Sequence, residues 1–164
     1  MDIESLKALV DRLQASELVT DFYLKLDLFE WDAIEPMLDE SVVLAFGDTD
    51  PRADLVPKAT FMSDLIARNA GYQLGDAGTF HGDYGHVVEI DGDTATVTCK
   101  FSAAHWLSQA PEDYATLTGL YIVSLVRRND SWKIQRLWIK PIRWQGDARR
   151  VMDEAAKNWK AHND

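Results

Sequence analysis

Two turn signals cut the second half of the chain into long strands, and they constrain the fold more than any other feature. Asp91-Gly92-Asp93 separates a β-type run at 86–90 from another at 94–107, and Asn129-Asp130 separates 116–128 from 131–144. An Asp-Gly pair between two such runs marks a hairpin, because it tolerates the left-handed backbone that matches the twist of paired strands. From Thr79 onward the chain therefore reads as a meander of long antiparallel strands.

The first half has a different period. Leu6, Leu9, Val10 and Leu13 recur at the spacing of one helical face, and Leu18, Phe22 and Leu26 continue the stripe after an expected break near Ala15-Ser16. A helix over 31–38 contains Pro36, which fits a helix without penalty only in the first turn, so this piece is expected to be short or irregular. Residues 41–46 have the β-branched content of a strand, and 47–57, with Asp-Thr-Asp-Pro and a second proline, form a loop. Residues 58–70 read as helix, with Phe61, Leu65 and Ile66 on one side, and 71–78 as loop. Met152, Ala155, Ala156 and Trp159 recur at helical spacing over 147–161, with Asp147 placed to cap. Helices, then an antiparallel meander, then one helix predict an α+β fold, and 164 residues fit a single domain over 1–164.

Charge and cysteine content narrow the function. With 27 acidic and 17 basic residues the net charge is −10, and the pairs Arg127-Arg128 and Arg149-Arg150 are too short to form a phosphate-binding groove. Neither nucleic acid nor an anionic membrane surface is an expected partner. Cys99 is the one cysteine, so an internal disulfide framework and a zinc cluster of thiolates are both excluded. Charged side chains run through the first twenty positions where a secretion signal would be apolar, and no apolar run reaches the about 20 residues of a membrane span. A soluble cytoplasmic protein is expected.

Proton-transfer chemistry needs histidines and carboxylates, and the chain has four histidines. His162 lies near the C-terminus and is set aside. His81 and His86 bracket His-Gly-Asp-Tyr-Gly-His. His105 shares a face, by period two, with Cys99, Phe101 and Ala103, which makes it either part of a pocket wall or a hydrogen-bonded core histidine. Tyr23 and Asp27 project from the same helical face. Asp27 stands among Leu24, Leu26, Leu28 and Phe29, and is either a solvated helix-end group or a buried acid with a partner. A carboxylate bonded to one imidazole nitrogen fixes the tautomer and raises the basicity of the other, which makes a general base.

Other constellations are weaker. No G-x-S-x-G, G-x-G-x-x-G or P-loop occurs, so neither a serine hydrolase nor a nucleotide cofactor is supported. Cys99, mid-strand, reads as a small buried hydrophobe. His81, Asp83, His86 and His105 match no known zinc or iron spacing, so no metal and no other cofactor is expected. Trp132, Trp138, Trp144 and Tyr121 read singly as core, and together they suit a pocket for a flat apolar or aromatic small molecule.

Five segments, taken in order, carry a resemblance: Tyr-Leu-Lys-Leu-Asp-Leu-Phe-Glu-Trp-Asp at 23–32, Thr-Phe-His at 79–81, Phe-Ser-Ala-Ala-His at 101–105, Ser-Trp-Lys-Ile at 131–134 and Lys-Pro-Ile-Arg-Trp at 140–144. Over nearly its whole length the chain resembles the nuclear transport factor 2-like superfamily, in particular its SnoaL-like branch and scytalone dehydratase. The resemblance implies a cone: a strongly curved antiparallel sheet wrapped by helices around one deep pocket. It implies a His–Asp dyad inside the cone, matched by His81 and Asp27, with the second histidine of scytalone dehydratase matched by His105. Two tyrosines that hold a carbonyl-polarising water in scytalone dehydratase match Leu26 and Phe46, which cannot donate a hydrogen bond. Tyr23, Tyr84 or Tyr121 is expected to take that role, or the substrate differs, and scytalone is not the expected substrate. The expected substrate contacts are Tyr23, Phe46, Tyr84, Phe101 and Tyr121. The implied activity is cofactor-free proton abstraction from a small apolar or polycyclic aromatic substrate, with elimination of water first. A polyketide-type aldol cyclisation, a double-bond isomerisation and a non-catalytic ligand-binding cone are the alternatives. A homo-oligomer, dimer or trimer, formed through outer sheet faces is expected, and the roles of Asp83 and His86 stay open.

Overall fold

The computed structural model describes residues 2–47 and 54–163, so most of the loop expected at 47–57, including Asp-Thr-Asp-Pro, lies outside the described residues. Among the described residues six strands form one sheet: β1 (Leu38–Phe46), β2 (Val56–Pro57), β3 (Gly78–Asp91), β4 (Thr94–Trp106), β5 (Tyr114–Arg128) and β6 (Ser131–Gly146), in the order β2-β1-β6-β5-β4-β3. The last four strands are the antiparallel meander read from the turns. Asp91 pairs with Thr94 and Arg128 with Ser131, so both hairpins close on two-residue loops. Asn129 and Asp130 adopt φ of 48° and 62°, the left-handed pair that such a loop requires.

The sheet is mixed, because β1 joins β6 in parallel, with Phe46 opposite Ile139. A parallel neighbour cannot be reached through a tight turn, and the helices and strands between β1 and β6 supply the long connection. Register shifts interrupt β3 between Tyr84 and Val87, and β6 at Ile142 and Gln135, opposite Thr118/Gly119 and Ser124/Leu125 of β5. Bulges of this kind bend strands and strengthen twist, which curves the open sheet.

Among the described residues four α-helices accompany it: α1 (Ile3–Asp27), α2 (Trp31–Ile34), α3 (Lys58–Asn69) and α4 (Ala148–Asn163). Pro36 ends α2 and sits in a 3-10 turn, Glu35–Met37, the irregularity expected from its missing N–H. Asp147 caps α4 by accepting the Arg150 N–H at 3.0 Å. The helix α1 is continuous, without the break expected at Ala15-Ser16, because that segment is held against the sheet: Ala15 is buried and Ser16 bonds to β3. Its apolar stripe has two fates. Ala15, Val19, Phe22, Tyr23 and Leu26 are buried, whereas Leu6, Leu9, Val10 and Leu13 are 43–55% exposed. Helical spacing identifies a face; it does not supply the surface that covers it.

The core lies between the helices and the inward residues of the sheet, among them Val97, Cys99, Phe101 and Ala103 of β4 and Leu117, Tyr121, Val123 and Leu125 of β5. Each large apolar side chain buried there contributes about 1.5–3 kcal/mol relative to exposure. Among the described residues, no helix is long and apolar enough to cross a membrane.

Candidate active site

Residues Ser16, Thr20, Tyr23 and Asp27 recur at intervals of four, three and four, so they share one face of α1. That face lies along β3. The Asp27 carboxylate, in the last turn of α1, receives three bonds from the strand. Thr79 Oγ1 donates to Oδ1 at 2.8 Å, the His81 backbone N–H to Oδ2 at 2.6 Å, and the His81 ring meets Oδ1 through Nδ1 at 2.6 Å. An ionised carboxylate only accepts, so Nδ1 carries the hydrogen and Nε2 is left as the ring's proton acceptor.

Electrostatics hold this arrangement. Burial opposes ionisation of Asp27, but the hydrogen bonds and electrostatic pull of His81 and the Thr79 hydroxyl together outweigh burial and keep the carboxyl below its ordinary range. The two side chains remain reachable, with 9% of His81 and 16% of Asp27 exposed.

His105 stands edge-on to His81, ring centroids 5.1 Å apart at 87°. It belongs to β4 and pairs with Thr79, two residues along the hairpin and on the same face as the His81–Ala103 pair. Burial, and then the neighbouring His81, push its imidazole down to about 3 against a smaller opposing pull from Asp27. At neutral pH His105 is therefore an uncharged ring that can donate one hydrogen bond and accept another, and it is not an imidazolium acid.

Aromatic rings fill the space beside the histidines. Tyr23 stacks on Tyr121 at 4.2 Å, Tyr121 on Phe101 at 3.9 Å, and Tyr23 lies parallel to His81 at 6.0 Å. Gly119 makes room for this stack: a Cβ there would collide with the Lys140 carbonyl and come within 2.9 Å of the Phe101 ring. Burial raises both Tyr23 and Tyr121 well above the ordinary phenol range, so both stay protonated and can act as donors.

Of the sequence-predicted residues, Asp27, His81, His105, Tyr23, Phe101 and Tyr121 come together. Phe46 and Tyr84 do not. Phe46 is 52% exposed and packs on Trp144, and Tyr84 is 51% exposed because its position in β3 points away from the His81 face. Leu26, at one of the family's tyrosine positions, is a core residue. Two neighbours escaped the sequence reading. Thr79 anchors Asp27, and period-two alternation with His81 would have found it. Tyr72, in the 3-10 turn Ala70–Gln73, packs 5.2 Å from His105, and its buried hydroxyl lacks a partner among the described residues. A 3-10 turn of four residues has no periodicity by which to find it.

Open clefts lie elsewhere. One of about 340 Å³ is lined by Asp39, Arg128 and Lys133, and another of about 350 Å³ by residues from Phe29 to Ala33. Neither is lined by Asp27, His81 or His105, so the convergence of titratable groups, and not cleft size, marks the site.

Residues 7–137 match the SnoaL-like domain family, and the chain belongs to it. Solved structures share the fold. A protein from Kribbella flavida is 24% identical with a TM-score of 0.73, covering 92% of this chain and 99% of its own. A candidate scytalone dehydratase from Novosphingobium aromaticivorans is 16% identical with a TM-score of 0.72, covering 87% and 91%. A type 2 hexachlorocyclohexane dehydrochlorinase is 14% identical with a TM-score of 0.68, covering 88% and 93%. No curated protein matches the chain in sequence.

Proposed function

We propose that the chain is a cofactor-independent enzyme that abstracts a proton beside an electron-withdrawing group of a small, flat, apolar or aromatic substrate, most simply to eliminate water. The observation that supports this reading is the 2.6 Å bond between Asp27 Oδ1 and His81 Nδ1, which leaves Nε2 as the base on a ring that stands edge-on to His105. The names dehydratase and dehydrochlorinase carried by structural neighbours describe eliminations of the same kind.

In the proposed step Nε2 of His81 takes the proton from the carbon next to a carbonyl. The carbonyl oxygen gains negative charge and is met by hydrogen bonds from neutral donors, for which His105, Tyr23 and Tyr121 are the protonated groups at hand. The β C–O bond then breaks as the double bond forms. The His81 imidazolium returns its proton to the departing hydroxide as water, so the base is regenerated without an oxidant or a reductant. Asp27 stabilises the imidazolium while it exists. Aldol cyclisation and double-bond isomerisation share the first step and differ in the fate of the carbanion.

Solvent exchange tests that shared step. Aromatic and polycyclic carbonyl compounds, with and without a β-hydroxyl, are incubated with the protein in deuterium oxide and followed by proton NMR. Deuterium should appear at the carbon next to the carbonyl with wild-type protein and fall by about 10²–10⁴-fold in His81→Ala. Undiminished exchange in that variant would remove the base. The ring-filled interior also suits a non-catalytic binding cone, and a compound that binds tightly with neither exchange nor turnover would favour it.

A further inference from the structure

Asp83, His86 and Cys99 bring a carboxylate oxygen, an imidazole nitrogen and a thiol sulfur within 4.8 Å of one another. From this juxtaposition we propose that the three form a binding site for a thiophilic divalent cation of the zinc type, separate from Asp27, His81 and His105.

The donor chemistry points to that class. Mixed oxygen, nitrogen and sulfur donors suit zinc and its neighbours in the transition series, whereas magnesium and calcium take oxygen alone. One carboxylate and one thiolate neutralise a dication, and a fourth position remains for water. The expectation of no metal rested on sequence spacing, and spacing conceals this set because Cys99 comes from the neighbouring strand.

Strand geometry builds the set. Tyr84 pairs with Lys100 and Val87 with Thr98, so Gly85 and His86 together stand against Cys99. Gly85 takes φ of 66°, open to a residue without a Cβ, and the extra residue returns His86 to the face that carries Asp83. All three donors are sheltered: Asp83 and His86 side chains are each 10% exposed and Cys99 is 2% exposed.

Supporting bonds are present as well. Ser16 Oγ lies 2.7 Å from His86 Nδ1, and Thr20 Oγ1 donates to Asp83 Oδ2 at 2.7 Å. A metal-bound histidine normally leans through its other nitrogen on such a partner, which fixes ring orientation. His86 Nε2 and Asp83 Oδ2 are now 2.7 Å apart, joined by a hydrogen bond. The cation replaces that bond. The ring keeps one proton, moved to Nδ1 and donated to Ser16 Oγ, while the thiol proton leaves to solvent. One proton is released per cation and no electron is transferred.

Cobalt(II) is the probe. Chelator-treated full-length protein titrated with cobalt(II) should bind one equivalent, show a near-ultraviolet thiolate-to-cobalt band, and lose that band to one equivalent of zinc(II). Cys99→Ala should abolish the band, and His86→Gln should weaken binding further than either supporting change. Thr20→Val alters an exposed position, does not threaten the core, and should weaken binding by about 10–100-fold. Asp27→Asn should retain the band, because the other site shares no donor with this one. Wild-type protein that shows no band and retains neither metal at millimolar concentration overturns the proposal. So does a band or affinity that survives Cys99→Ala, or that is unmoved by Thr20→Val.

Discussion

Two Asp–His pairs lie on the same helix–strand seam, and they differ in what each ring has left to offer. Asp27 engages His81 through Nδ1 and leaves Nε2 as the acceptor of a ring that stands edge-on to His105. Asp83 engages His86 through Nε2, and Ser16 occupies Nδ1. The partners are alike in type and the distances are within 0.1 Å of each other, at 2.6 and 2.7 Å. A carboxylate beside an imidazole is thus not by itself a base; a ring nitrogen left without a partner is also required. The first pair has the geometry that the proposed proton transfer needs, and the second that of the proposed clamp, whose own hydrogen must be displaced before a cation binds.

The comparison breaks most visibly in kinetics. His81→Ala should reduce kcat/KM for a true substrate by about 10²–10⁴-fold, roughly 3–5 kcal/mol of barrier, against less than about tenfold for His86→Ala. Asp27→Asn should lower rate more than binding, and its loss should not add to that of His81→Ala, since the two act as one unit. Equal losses at His81 and His86 would erase the distinction between the pairs.

Acid should act next most strongly, and through the first site. His105 is held at about 3 in the folded protein, below its ordinary value near 6.5, so between these pH values the unfolded chain binds a proton that the folded chain refuses. Stability is complete above about pH 6.5 and declines as pH falls toward 3, by on the order of 3 kcal/mol at pH 4. Asp27, lowered from its ordinary value, adds a loss in the same direction as pH falls through the carboxylate range. Thermal melts of wild type and His105→Leu between pH 7 and 4 check the sign: the variant should show the shallower slope.

Smaller effects sharpen the second pair. Gly85→Ala places a Cβ on a left-handed residue and should cost about 1–2 kcal/mol of stability, measured by urea unfolding, with deuterium exchange at the first site retained. Ser16→Ala removes one partly buried bond to His86 and should cost about 1 kcal/mol in the same measurement. A kinetic effect of Ser16→Ala as large as that of Asp27→Asn would show the two pairs to be one system.

Much of the framework was legible from local chemistry. The hairpin turns, the helix at 58–70 and the Asp147 cap each depend on neighbours a few residues apart, and each is present. The grouping of Asp27, His81 and His105 came from likeness to a family, since nothing local in Asp27 distinguishes a solvated helix end from a partnered acid. Parallel pairing of β1 with β6 was not legible, because strand order is decided by packing across the whole chain. The clamp was hidden for a sharper reason. Strict alternation from His81 puts residue 86 on the outer face, and only the bulge at Gly85 reverses this. The helical half of that seam was open to inspection all along, as polar Ser16, Thr20, Tyr23 and Asp27 at the period of a helix.

The seam between α1 and β3 also orders events in time. The bonds Ser16–His86, Thr20–Asp83 and Asp27–His81 join residues 70, 63 and 54 positions apart, while the hairpins close over two residues. Long loop closures are slow, because their entropy is lost before any contact rewards it. A refolding chain should therefore acquire its meander early and the Asp27–His81 geometry last, when α1 returns to a strand that lies much later in the sequence. Until that docking Asp27 and His81 stay apart, and strand signal in the far ultraviolet should recover ahead of the deuterium exchange expected of His81.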